Sequence, residues 1–79
     1  MDNKYEVDAV IGRAEVGIEV KSSRNVTSSD AKGLKAFSEE YPDAKLYLLS
    51  MEERPRKQGN IEIWPVEQFL KRLWNNQAI

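Results

Sequence analysis

The chain has 79 residues, 41% of them hydrophobic and 32% charged, a formal net charge of −1, and neither cysteine nor histidine. A chain this short buries only about 60% of its unfolded surface, so residues 1–79 are read as a single domain around one core. The counts exclude a disulfide framework, a thiolate zinc site and a histidine-activated serine nucleophile, and they lack the strongly basic balance of many nucleic-acid binders.

No apolar run approaches the roughly 20 residues of a membrane span, and no signal-peptide core follows Met1, so the expected location is the cytoplasm with no membrane partner. Tyr5, Val7, Ala9 and Ile11 alternate with Glu6, Asp8 and Val10, which predicts a strand with one apolar face. Val16, Ile18 and Val20 repeat the alternation and turn Gly17, Glu19 and Lys21 away from the core. If residues 12–15 connect the two strands, Ile11 pairs with Val16 and Asp8 falls opposite Glu19. Thr27 and Asp30 mark a helix start. Ala31, Leu34, Phe37 and Tyr41 form its apolar stripe, and Pro42 ends it.

Residues 44–50 are nearly continuously apolar and predict a buried strand. Residues 51–60 carry little apolar content and are expected to form a mobile loop bearing Arg54, Arg56 and Lys57. Ile61 to Trp64 predict a short strand, and Pro65 suits the first position of a final helix. There Val66, Phe69, Leu70, Leu73 and Trp74 read as a buried stripe. The expected fold class is therefore mixed α/β, in the order β-hairpin, helix, strand, strand, helix.

Asp8, Glu19 and Lys21 share one patch in this reading. Two carboxylates opposed across a ladder repel unless a cation lies between them, and Mg²⁺ favours carboxylate oxygen together with water and phosphate. By spacing alone the pattern is more often a solvated face with a cross-strand ion pair. Lys32 and Lys35 on the first helix read either as solvated charges or as groups assisting a site. Arg54, Arg56 and Lys57 read either as phosphate contacts or as loop solubility. Trp64 and Trp74 read as packing or as base-stacking platforms, with packing favoured for Trp74. No glycine-rich phosphate loop is present, which excludes an ATPase core.

The runs Glu6-Val7-Asp8-Ala9-Val10-Ile11 and Ile18-Glu19-Val20-Lys21-Ser22-Ser23 resemble the PD-(D/E)xK nuclease superfamily, in which an acid on one strand precedes acid–x–lysine on the next. The chain looks most like the nuclease-like domain at the C-terminus of many archaeal and bacterial AAA-type ATPases. That likeness continues through Lys32 to Phe37, Pro42 to Lys45, and Ile61 to Pro65 with the helix that follows. The resemblance implies a restriction-endonuclease-like core lacking the usual N-terminal helix and strand. It implies a Mg²⁺ (or Mn²⁺) site from Asp8, Glu19 and the Val20 carbonyl, with Lys21 as catalytic lysine. It also implies DNA as substrate, with Lys32, Lys35, Arg54, Arg56 and Lys57 as candidate contacts. The missing edge would come from a second copy or a parent chain. The superfamily includes inactive members, so a nuclease-fold interaction or dimerisation module is the alternative.

Overall fold

The computed structural model describes residues 7–13 and 15–75. The strand expectation for Tyr5 and Glu6 lies outside them. The elements are β1 (Ala9–Ile11), β2 (Val16–Val20), α1 (Lys32–Glu40), β3 (Lys45–Ser50), β4 (Arg56–Gln58), β5 (Ile61–Pro65) and α2 (Val66–Trp74). They form a mixed α/β fold, with a five-stranded sheet in the order β1-β2-β3-β5-β4. β2, β3 and β5 run parallel, and an antiparallel strand closes each edge.

The hairpin forms in the expected register, with Ile11 opposite Val16 and Ala9 opposite Ile18. Its alternation breaks at Asp8, where the backbone bends. Val7 is therefore not on one face with Ala9 and Ile11: it packs with Leu34 and Phe37 beneath α1, while Ala9 and Ile11 are exposed.

Both sheet faces are covered, which overturns the expectation that Gly17 and Glu19 face away from the core. Leu46, Leu48, Ile61 and Ile63 pack with Leu34 and Phe37 of α1. Val16, Ile18, Tyr47 and Leu49 pack with Phe69 of α2. The near-continuous apolar run of β3 is the signature of a strand buried on two sides. Gly17 sits under α1, where an added Cβ would lie 3.0 Å from Phe37 Cε2 and 3.4 Å from Leu34 Cδ2. Gly17→Val is expected to lower stability by about 1–3 kcal/mol through overpacking, measured by urea denaturation.

The start of α1 differs from the expected Thr27 cap. Asp30 Oδ2 accepts both the Thr27 N–H at 2.9 Å and its hydroxyl at 3.3 Å, building a turn over residues 28–31 before the helix begins at Lys32. The helix itself has Ala31 at its N-cap with no side-chain cap, and the Asp30 oxygen reaches back to close the preceding turn while the Thr27 hydroxyl donates.

Residues 51–60 are not the mobile loop their composition predicts. They include β4, which pairs with β5 through a turn at Gly59 (φ 61°) and Asn60, a conformation that glycine adopts without a Cβ penalty. Pro65 precedes α2 as its N-cap rather than opening the helix. The α2 stripe is also narrower than its sequence suggests. Phe69 is 1% exposed, whereas Leu70 is 53%, Leu73 42% and Trp74 88% exposed. The helix meets the sheet through Phe69, with Val66 partly buried beside it, and its last turn is left uncovered.

Candidate active site

The C-terminal ends of β2 and β3 and the bend before β1 meet at one end of the sheet. Crevices at the carboxyl ends of parallel strands are where open α/β sheets take their ligands. Glu19 lies on β2 opposite Leu48, on the face covered by α1, and is only 4% exposed, with its Oε2 fully buried. Asp8 is exposed and sits one residue beyond the last paired position of β1. Its Oδ2 accepts the Val20 N–H at 2.7 Å, so the carboxylate takes the place on β2 that a longer β1 would have filled. The two acids are thus brought to the same strand end, one on the Val20 amide and the other on the adjoining residue.

Lys21 follows in half-buried surroundings, its N–H donating to Leu49 O at 2.8 Å. Strand alternation carries it toward the Glu19 side. Ser50, 1% exposed, ends β3 on the same face, its Oγ accepting the Glu52 N–H at 3.1 Å. Among the described residues no three acids, histidines or cysteines gather into a protein cage for a metal.

The basic residues divide. Lys32 and Lys35 are exposed on α1, and Arg54 and Lys57 are exposed around β4. Arg56, whose side chain is 40% exposed, is instead engaged by partners within the chain. Its Nε donates to Glu52 Oε1 at 2.8 Å, its Nη2 donates to Glu52 Oε2 at 3.0 Å and to Val26 O at 2.8 Å, and its Nη1 reaches Gln58 Oε1 at 3.4 Å. The hydrogen bond from Arg56, aided by the Val26 N–H, holds the Glu52 carboxyl below the usual carboxylate range. The partnership with Glu52 in turn raises the Arg56 guanidinium. A cleft at this end is lined by Arg24, Asn25, Met51, Glu52, Arg54 and Arg56. Sequence reasoning missed Glu52 because its two side-chain partners, Arg56 and Val26, lie 4 and 26 residues away, and nothing in the local pattern marks it.

The tryptophans are placed differently from one another. Trp64 is half-buried, donates to Glu62 Oε1 at 3.2 Å and lies under the Arg72 guanidinium, 4.8 Å from its ring centre. Trp74, expected in the core, projects into solvent at the end of α2.

These features define a mixed α/β domain whose edge hairpin carries two acids and a lysine at the carboxyl end of the sheet. Residues 1–69 match the family described as a domain of unknown function, DUF4143, and the chain belongs to that family. No significant match was found among curated proteins or solved structures. Among the described residues no helix is long and apolar enough to cross a membrane.

Proposed function

We propose that this chain is a nuclease-like domain of restriction-endonuclease type that hydrolyses phosphodiester bonds in DNA. The observation that carries the reading is a carboxylate only 4% exposed at Glu19, two residues before Lys21, with the Asp8 carboxylate hydrogen-bonded to the intervening Val20 amide. A core position built only for packing takes Val or Ile there, because burying a carboxylate costs several kcal/mol, of the order of other desolvated ions. Asp8, Glu19 and the Val20 carbonyl would hold Mg²⁺ or Mn²⁺. The ion would supply a polarised phosphoryl oxygen and a bound water of lowered pKa.

Within the chain, the Val20 amide orients the Asp8 carboxylate. Glu19 places a charge where the sheet and α1 exclude water. Lys21 offers an ammonium to orient the attacking water or to offset charge on the phosphoryl group. Lys32, Lys35, Arg54 and Lys57 supply exposed cations for backbone phosphates.

A titration with Mg²⁺ or Mn²⁺ followed by amide shifts, beside plasmid nicking by wild type and Lys21→Ala, tests the reading. Shifts centred on Asp8, Glu19 and Val20 are expected, with nicking lost in the variant. No metal response would favour the second reading, a catalytically inactive interaction or dimerisation module belonging to a larger ATPase. The exposed apolar row of Leu70, Leu73 and Trp74 supports that alternative.

A further inference from the structure

We infer that Glu52 and Arg56 are positioning residues for Lys21, welding the loop that follows it to the rim of the sheet. The inference rests on the nuclease reading of Asp8, Glu19 and Lys21. Past the end of β2 the chain stays paired with the β3 strand and its extension: the Lys21 N–H donates to Leu49 O at 2.8 Å and the Met51 N–H donates to Ser23 O at 2.9 Å. Beyond Ser23 the backbone ladder gives way to side chains. Glu52 Oε2 accepts the Val26 N–H at 2.7 Å, and Arg56 Nη2 donates to Val26 O at 2.8 Å. One ion pair thereby meets both backbone groups of a single loop residue, as a neighbouring strand would.

The pair is rigid. Two donors of the Arg56 fork engage the two Glu52 oxygens at 2.8 and 3.0 Å, the bidentate geometry that fixes orientation as well as charge. Val26 is 5% exposed and packs with Ala31 and Leu34 under α1, so the weld also sets where α1 begins. The Glu52 side chain is 12% exposed and that of Arg56 40%, so the contact with the Val26 N–H is partly buried while the bonds between the two side chains face solvent.

Residues 21–31 contain neither helix nor strand. Such a segment moves freely unless its backbone groups are held, and Lys21 is its first residue. Displacement of a catalytic group by about 1 Å costs on the order of a hundredfold in rate, even when the change lies far from the chemistry. The sequence leaves Arg56 as either a phosphate contact or a solubilising loop charge. Its engaged nitrogens assign it to loop geometry, and Arg54 and Lys57 are left to meet solvent.

Arg56→Met, which keeps the aliphatic stem, tests this by amide hydrogen exchange, Mn²⁺ titration and plasmid-nicking kinetics on one preparation. Exchange at Val26 and over residues 21–25 should rise at least about tenfold while Leu48 and Ile63 keep their protection. Nicking turnover should fall at least about tenfold with the Mn²⁺ midpoint moved less than about twofold, and Arg56→Lys should restore part of the rate. Glu52→Gln, which keeps an acceptor for the Val26 N–H but breaks the ion pair, gives the same comparison if Arg56→Met loses core protection. Unchanged exchange, or faster exchange with undiminished nicking, overturns the positioning role alone. A wild type that neither responds to Mn²⁺ nor nicks overturns the nuclease reading and this inference with it.

Discussion

On the proposed nuclease reading, replacing Asp8 with asparagine should weaken divalent-cation binding at least about a hundredfold, because removing the proposed direct ligand exceeds the 10–100-fold typical of groups one shell further out. The fold should survive. An asparagine carbonyl can still accept the Val20 N–H that Asp8 Oδ2 accepts at 2.7 Å, so the β1–β2 end stays closed. Asp8→Ala removes that acceptor together with the charge. A hydrogen bond to a charged group contributes about 1.5–3 kcal/mol, and the exposure of this one lets water recover part of it. Both variants remove the Asp8 charge, but only asparagine keeps the bond. The apo melting temperatures should therefore rank Asp8→Asn above Asp8→Ala, and the reverse order would mean that the contact with the Val20 amide does not stabilise the β1–β2 end. Amide shifts during a Mn²⁺ titration and thermal melts of the apo proteins report the two effects separately.

Phe69→Ala should cost about 3–5 kcal/mol, the usual penalty for truncating a buried phenylalanine. Domains hold roughly 0.05–0.15 kcal/mol per residue, so the loss is a large fraction of what a chain of 79 residues possesses. Phe69 is the helix residue that enters the second core, where its ring lies 5.1 Å from that of Tyr47 among Val16, Ile18 and Leu49. Leu70→Ala, by contrast, should cost less than about 1 kcal/mol, since a side chain already 53% exposed gives up little burial. Urea denaturation of the two variants measures the difference. Similar losses from both would place Leu70 against a surface that the chain meets only in an assembly.

The contrast between those neighbours shows where sequence pattern reaches its limit. The α2 row Val66, Phe69, Leu70, Leu73 and Trp74 has helical spacing, and the helix is there. Periodicity reports the hydrophobic face of an element, whereas the width of the buried strip depends on how closely a partner approaches. β4 was illegible for a related reason. Arg56, Lys57 and Gln58 carry no apolar alternation because an edge strand needs none: it is held by the ladder to β5 and by the Arg56 contacts with Glu52 and Val26.

The hairpin was the most legible element. Alternation on both sides of residues 12–15 allows one register that keeps Val16 and Ile18 inward, and that register runs to Ala9 opposite Ile18, after which the Asp8 carboxylate meets the Val20 amide. The spacing of Glu19 and Lys21 along one strand was likewise written in the chain. What the tertiary structure decided is that this supposedly outward face lies beneath α1. Burial of Glu19 depends on that packing, while the docking of Asp8 on the Val20 amide and the Glu52–Arg56 weld on Val26 depend on segments 12 to 30 residues apart meeting. Local residue order determines which side chains share a strand face. Only the long-range return of the chain determines which of those faces is closed to water, and so where a charge becomes costly enough to mark a site.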